Sequence, residues 1–178
     1  MEDTNTSIKN SIQPGNKLKT SLEYGIIIGL VSIVIDLGFY FSSVDYQSGW
    51  KTFVGIIAGM ALILMILKMY RDGKLGGKMT FSQGLVIGIL SYLWAGVLVA
   101  IYVYIFIGYV DTGIMETIMD QQYEEMLDSG MPESQIDQAL EISNMFMKPW
   151  VFALITVFSN GFMGVVYSLI GSAIVKKN

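Results

Sequence analysis

One carboxylate in this sequence stands where water is scarce. Asp36 lies inside the apolar stretch GIIIGLVSIVIDLGF, residues 25–39. A charged side chain at the centre of a membrane helix costs about 2.5–3.5 kcal/mol on insertion scales. Two roles fit such a residue: a proton or cation site, or a neutral, hydrogen-bonded clamp between helices. At the α-helical rise, Asp36 sits about 12 Å below the outer end of its helix. Asn160 comes out about 16 Å below the start of its own, and Gly59 and Tyr102 at about 9–10 Å. Asp36, Tyr102 and Asn160 therefore form one candidate intramembrane polar layer. Low dielectric disfavours a charged carboxylate, so Asp36 is expected to be buried between helices and protonated, or to donate and accept hydrogen bonds with Asn160 or Tyr102. There is no second embedded acid and no basic relay, which favours the clamp.

Other patterns carry less chemistry. The loop GKLGGK, residues 73–78, invites comparison with a phosphate-binding loop, but Gly73 to Gly77 is one residue too short and Met79 follows Lys78. That motif also needs a preceding strand. A basic cluster of Lys68, Arg71, Lys74 and Lys78 facing anionic headgroups is the better account. Glu116, Asp120, Glu124 and Asp128 recur at i, i+4 and read as a solvated helix face, without the ligand pattern of a calcium loop. The chain has no histidine and no cysteine, which removes the commonest general base, thiolate catalysis and most metal sites. No catalytic, cofactor-binding or metal-ligating residues are assigned, no cofactor is expected, and an enzyme is not expected.

The elements that hold these residues are apolar and long. Of 178 residues, 53% are hydrophobic and 15% charged, against about 25% charged in a soluble domain. The excess falls in four blocks, residues 22–44, 53–70, 81–110 and 149–175, each near or beyond the roughly 20 residues that cross a hydrocarbon core. The fold class is all-α: a polytopic membrane protein with four transmembrane helices. Residues 1–21 form a polar N-terminal segment and 22–178 a single membrane domain. Lysines and arginines gather before the first block, between the second and third, and after the fourth. The positive-inside rule then places both termini in the cytoplasm. Lys51 and Lys148 are left to the outer connections.

Two helix starts look alike: TSLE, residues 20–23, and TFSQ, residues 80–83, both fit a capping box. Behind them, GIIIGLVS and GLVIGILS share one spacing of glycine and serine, consistent either with a duplicated hairpin or with convergence. Gly25, Gly29, Ser32 and Asp36 fall within about 60° on one helix face. Gly84 and Gly88 do the same on the third helix, Asn160, Gly164, Tyr167 and Gly171 on the fourth, and Gly55 and Gly59 on the second. Small residues at this spacing let membrane helices approach closely. The third connection, residues 111–148, is long and acidic. Apolar residues at helical spacing predict two amphipathic helices there, 112–127 and 133–147, with a break at SGMPE.

At KMYRDGKLGGKMTFSQG, residues 68–84, the chain resembles a Bacteroidota family of small four-helix membrane proteins catalogued as domain of unknown function four-one-nine-nine. The shared pattern is Tyr70, Arg71, Asp72, the pair Gly76 and Gly77, then Phe81 and Gln83. YVDT at 109–112 matches the end of the third helix, although the family often has proline where Thr112 stands. The tail GVVYSLIGSAIVKK fits as well. The resemblance implies a bacterial inner membrane location, four helices and no established activity, and it names no catalytic residue. The resulting expectation is a small accessory or scaffold subunit of a membrane assembly. Its partners would be the lipid bilayer and either another membrane protein or further copies of itself, without nucleic acid. The alternative is a proton- or cation-linked carrier using Asp36.

Overall fold

The computed structural model describes residues 14–42 and 49–177. Every regular element among them is a helix: α1 (Pro14–Phe41), α2 (Gly49–Lys74), α3 (Phe81–Ile105), α4 (Ile114–Asp128), α5 (Glu133–Phe146) and α6 (Pro149–Val175). A π-helical turn, Phe106–Val110, extends α3. Among the described residues, four helical stretches, Lys17–Phe41, Trp50–Lys74, Phe81–Val110 and Pro149–Val175, are long and apolar enough to cross a membrane. The protein is an all-α membrane protein.

The helix ends refine the expected boundaries. α1 begins at Pro14, inside the segment read as a polar tail; proline suits a first turn, and no further proline interrupts residues 15–21. TSLE consequently lies within α1 and caps nothing: Thr20 is buried, and the Ser21 hydroxyl donates to the Leu18 carbonyl at 2.9 Å. Its counterpart TFSQ is a true capping box. The Thr80 N–H donates to Gln83 Oε1 at 2.9 Å, and the Gln83 N–H to Thr80 Oγ1 at 3.3 Å. α2 begins at Gly49, four residues before the expected 53. Residues 1–13 of the expected N-terminal segment and residues 43 and 44 of the first expected span lie outside the described residues.

One compact unit comprises residues up to 99 together with those from 157 onward, and a second comprises residues 100–156. In the first, α3 is the hub. The buried share of its most apolar window is 44%, against 22%, 17% and 17% for the other three spans. Lipid is as apolar as leucine, so burying carbon contributes little to helix association in a membrane, and close approach decides it. α1 lies parallel to α3, with Gly25 against Ser91, Trp94 and Ala95, and Gly29 against Leu98. α6 runs antiparallel to α3 in a zipper with steps of four residues. Gly84 faces Ser172, Gly88 faces Ser168, Tyr92 faces Gly164, and Gly96 faces Asn160. α2 runs parallel to α6, with Gly59 under the Tyr167 ring and Gly171 under Leu67 and Ile63. The core that results includes Ile28, Ile63, Leu67, Ile87, Ala95 and Val175.

In the second unit, α4 and α5 form a helical hairpin, within two residues of the helices expected at 112–127 and 133–147. Gly130 ends α4 at φ +78°, a conformation open to glycine, and Pro132 stands just before α5. Ile114 and Ile136 are buried, and the Ser143 hydroxyl donates to Gln122 Oε1 at 3.3 Å across the pair.

Candidate functional site

Asp36 meets a lysine from the start of the second span. Lys51 Nζ lies 2.7 Å from Asp36 Oδ1, and both side chains are about one-fifth exposed, 22% and 21%. Helix geometry explains the meeting. Asp36 is five residues before the end of α1, about 7.5 Å along its axis, while Lys51 is two residues into α2, about 3 Å along. The flexible lysine stem spans the rest. Asp36, expected to meet Asn160 or Tyr102, thus has an ion-pair partner that the expectation did not include, and the pair ties α1 to α2. The early start of α2 made the difference: as part of a helix, Lys51 is carried to the acid instead of lying free in a loop.

The pair lines a cavity of about 270 Å³ within the first unit. α1 contributes Ser32, Ile35 and Asp36, and α2 contributes Lys51, Gly55, Ala58, Gly59 and Leu62. Tyr92 comes from α3, and Ser159, Asn160, Met163 and Tyr167 from α6. Asp36 and Asn160 of the expected polar layer thus share one cavity wall. Tyr102 is not among the lining residues; it belongs to the second unit, where its ring stacks at 5.4 Å from Phe106. Gly59, expected to pack helices, does so under Tyr167 and also opens the cavity. Gly55, expected to do the same, lines the cavity instead, and a Cβ there would meet no neighbouring atom within 4 Å.

Two hydroxyls in this wall already use their hydrogens. Ser32 donates to the Ile28 carbonyl at 2.9 Å, and Tyr92 donates to the Gly59 carbonyl at 2.7 Å. What remains on both oxygens is the capacity to accept. Tyr92 also rests on Tyr167, with ring centroids 5.5 Å apart. Sequence reasoning missed Lys51 and Tyr92. Tyr92 had a signal: it continues the series Gly84, Gly88 in steps of four, and so belongs on the same face of α3.

The RDGKLGGK segment at the other end of these helices has a structural role. Gly76 and Gly77 take φ +64° and +89°, turning the chain so that the Gly77 N–H reaches the Arg71 carbonyl at 2.9 Å. Met79 and Lys177 then exchange backbone hydrogen bonds of 2.9 and 3.0 Å. Arg71, expected among cations facing headgroups, instead pairs with Asp72 at 2.7 Å and donates from Nη1 to the Val175 carbonyl at 3.2 Å, near the end of α6. Last-turn carbonyls of a helix lack partners within it, so a guanidinium there satisfies one of them.

Among the described residues, no group of three acidic, histidine or cysteine side chains is placed to hold a metal ion. No curated protein and no solved structure matches the chain. A family model does match, over residues 23–177, from the start of the apolar part of α1 through the Lys177 bridge. The chain belongs to the family described as Protein of unknown function (DUF4199).

Proposed function

We propose that the protein is a non-enzymatic accessory or scaffold subunit of a membrane assembly, in a bacterial inner membrane and with both termini in the cytoplasm. The observation that carries this reading is the α4–α5 hairpin. Its acids face solvent, yet Leu127, Ile142 and Phe146 are also 40%, 59% and 57% exposed on helices outside the apolar spans. Apolar groups displayed on a polar hairpin fit coverage by another protein. The absence of histidine and cysteine leaves few routes to catalysis.

The test is extraction from native membranes in a mild detergent, followed by native mass spectrometry. A heteromeric species is expected for the wild-type chain, and it should be lost in Ile142→Glu/Phe146→Glu with melting unchanged. A lone chain in both cases refutes the subunit. For orientation, cysteines at Gly76 and Ser129 should label from opposite sides, Gly76 from the cytoplasm. The cavity around Asp36 favours a second reading, a small proton- or cation-linked carrier. Lys51 counts against it, because a bare cation reaching Asp36 meets the ammonium as well.

A further inference from the structure

Among the described residues, the cavity wall presents one negative and one positive group side by side, and the others that line it offer hydroxyl, amide and hydrocarbon. We propose that it binds a small zwitterion carrying a primary ammonium and an oxyanion a few bonds apart, the ammonium at Asp36 and the oxyanion at Lys51. Four observations lead there, and none depends on whether the α4–α5 hairpin docks a partner.

Charge comes first. A lone cation drawn to Asp36 is repelled by Lys51, and a lone anion drawn to Lys51 is repelled by Asp36. A ligand that brings both signs meets attraction at both ends and leaves the cavity neutral. Hydrogen bonding comes second. Ser32 and Tyr92 have committed their hydrogens to the Ile28 and Gly59 carbonyls, so toward the cavity they accept and do not donate. Acceptors in the wall that also carries a carboxylate favour a group rich in N–H, which a primary ammonium is and a quaternary one is not. Size comes third. A volume of about 270 Å³ is several times the roughly 30 Å³ that one water occupies in the liquid, leaving room for a ligand of amino-acid or phosphoethanolamine size. Access comes last. Both charged side chains keep about a fifth of their surface exposed, so a ligand can reach and open the pair. Ile35, Ala58, Leu62 and Met163 offer carbon to the short hydrocarbon that joins the two charges.

The same chemistry is present in free amino acids, in phosphoethanolamine and in the headgroup of phosphatidylethanolamine, and the test separates free from lipid sources. The full chain is placed in phosphatidylcholine nanodiscs and titrated with alanine, phosphoethanolamine, phosphocholine, ethanolamine and inorganic phosphate, following its melting temperature. In a parallel arm, discs containing phosphatidylethanolamine replace the phosphatidylcholine discs, and lipid retained on the chain is read by native mass spectrometry. Either alanine and phosphoethanolamine raise the melting temperature (a free ligand), or phosphatidylethanolamine is retained over phosphatidylcholine (a lipid ligand). Phosphocholine, ethanolamine and phosphate alone are expected to do little. Asp36→Asn and Lys51→Gln should each weaken binding at least tenfold. Ser32→Ala, which leaves the ion pair in place, should weaken it two- to tenfold, so the proposal stays testable if a charge variant folds poorly. No effect of any zwitterion in either arm overturns the proposal, as does an equal effect of phosphocholine or binding indifferent to all three substitutions.

Discussion

Replacing Gly25 by alanine should separate close helix approach from mere helix propensity. A Cβ at Gly25 would stand 2.7 Å from the Ser91 carbonyl oxygen and 3.2 Å from the Ala95 nitrogen. Both are backbone atoms of α3, which cannot rotate away as a side-chain tip can. Normal contacts between such atoms begin near 3.5 Å, so α1 must retreat from α3 by the better part of an ångström along the whole contact. Overpacking of this kind costs about 1–3 kcal/mol. Alanine returns about 1 kcal/mol of helix propensity over glycine, leaving a net loss of about 0–2 kcal/mol, with its middle near 1 kcal/mol. Gly55→Ala is the matched control: no heavy atom lies within 4 Å of its Cβ position, so only propensity acts and stability should rise by up to about 1 kcal/mol. The gap between the two variants, about 2 kcal/mol, is a factor of about thirty in the folding equilibrium. Unfolding of the purified chain by sodium dodecyl sulfate in mixed micelles, followed by circular dichroism, measures it. If the two variants move together, the close α1–α3 approach is refuted.

Three further outcomes follow from the same geometry. Tyr92→Phe removes the hydroxyl that donates to the Gly59 carbonyl and should destabilise by about 0.6–1.7 kcal/mol in the same unfolding assay, the range for interhelical hydrogen bonds in lipid. A double-mutant cycle of Asp36→Asn and Lys51→Gln should give a coupling of about 0.5–3 kcal/mol, whereas additive losses would mean the two side chains act separately. Arg71→Gln should speed hydrogen exchange of the amides at residues 175–177, because the Val175 carbonyl loses its guanidinium and the Met79–Lys177 bridge loses its neighbour. Unchanged exchange there would assign Arg71 no part in fixing that end.

The apolar blocks made the four spans legible, since length and composition alone decide whether a helix can cross lipid. The insert was legible from its 3.6-residue periodicity, and Gly130 marked its break. What escaped was register. TSLE and TFSQ are equivalent as strings, but only the second follows a turn, at Gly76 and Gly77, that leaves its helix end in need of a cap. Asp36 was legible as a polar feature, whereas its partner was not. Whether Lys51 reaches it depends on where α2 begins, and a few residues around Gly49 decide that without an obvious helix signal. The series Asn160, Gly164, Ser168, Ser172 was present at constant spacing, yet only Gly164 drew notice among its small residues, because the glycines were read apart from the serines. Tyr102 fell at the right depth but in the other unit, since depth along a helix says nothing about which neighbour a face meets.

The zipper between α3 and α6 has a consequence for motion along the helix axes. A row of small residues facing a row of small residues at equal steps has no preferred alignment: sliding one helix by a turn, about 5.4 Å, sets Gly88 opposite Gly164 and Gly84 opposite Ser168, contacts much like those it abandons. Tyr92 is the index pin in this ratchet. Its ring fits over Gly164 and its hydroxyl is tethered to Gly59 of α2, so a one-turn slip would drive it against Asn160 or Ser168 and break the tether. A third helix thereby fixes the alignment of the other two against shear along their axes.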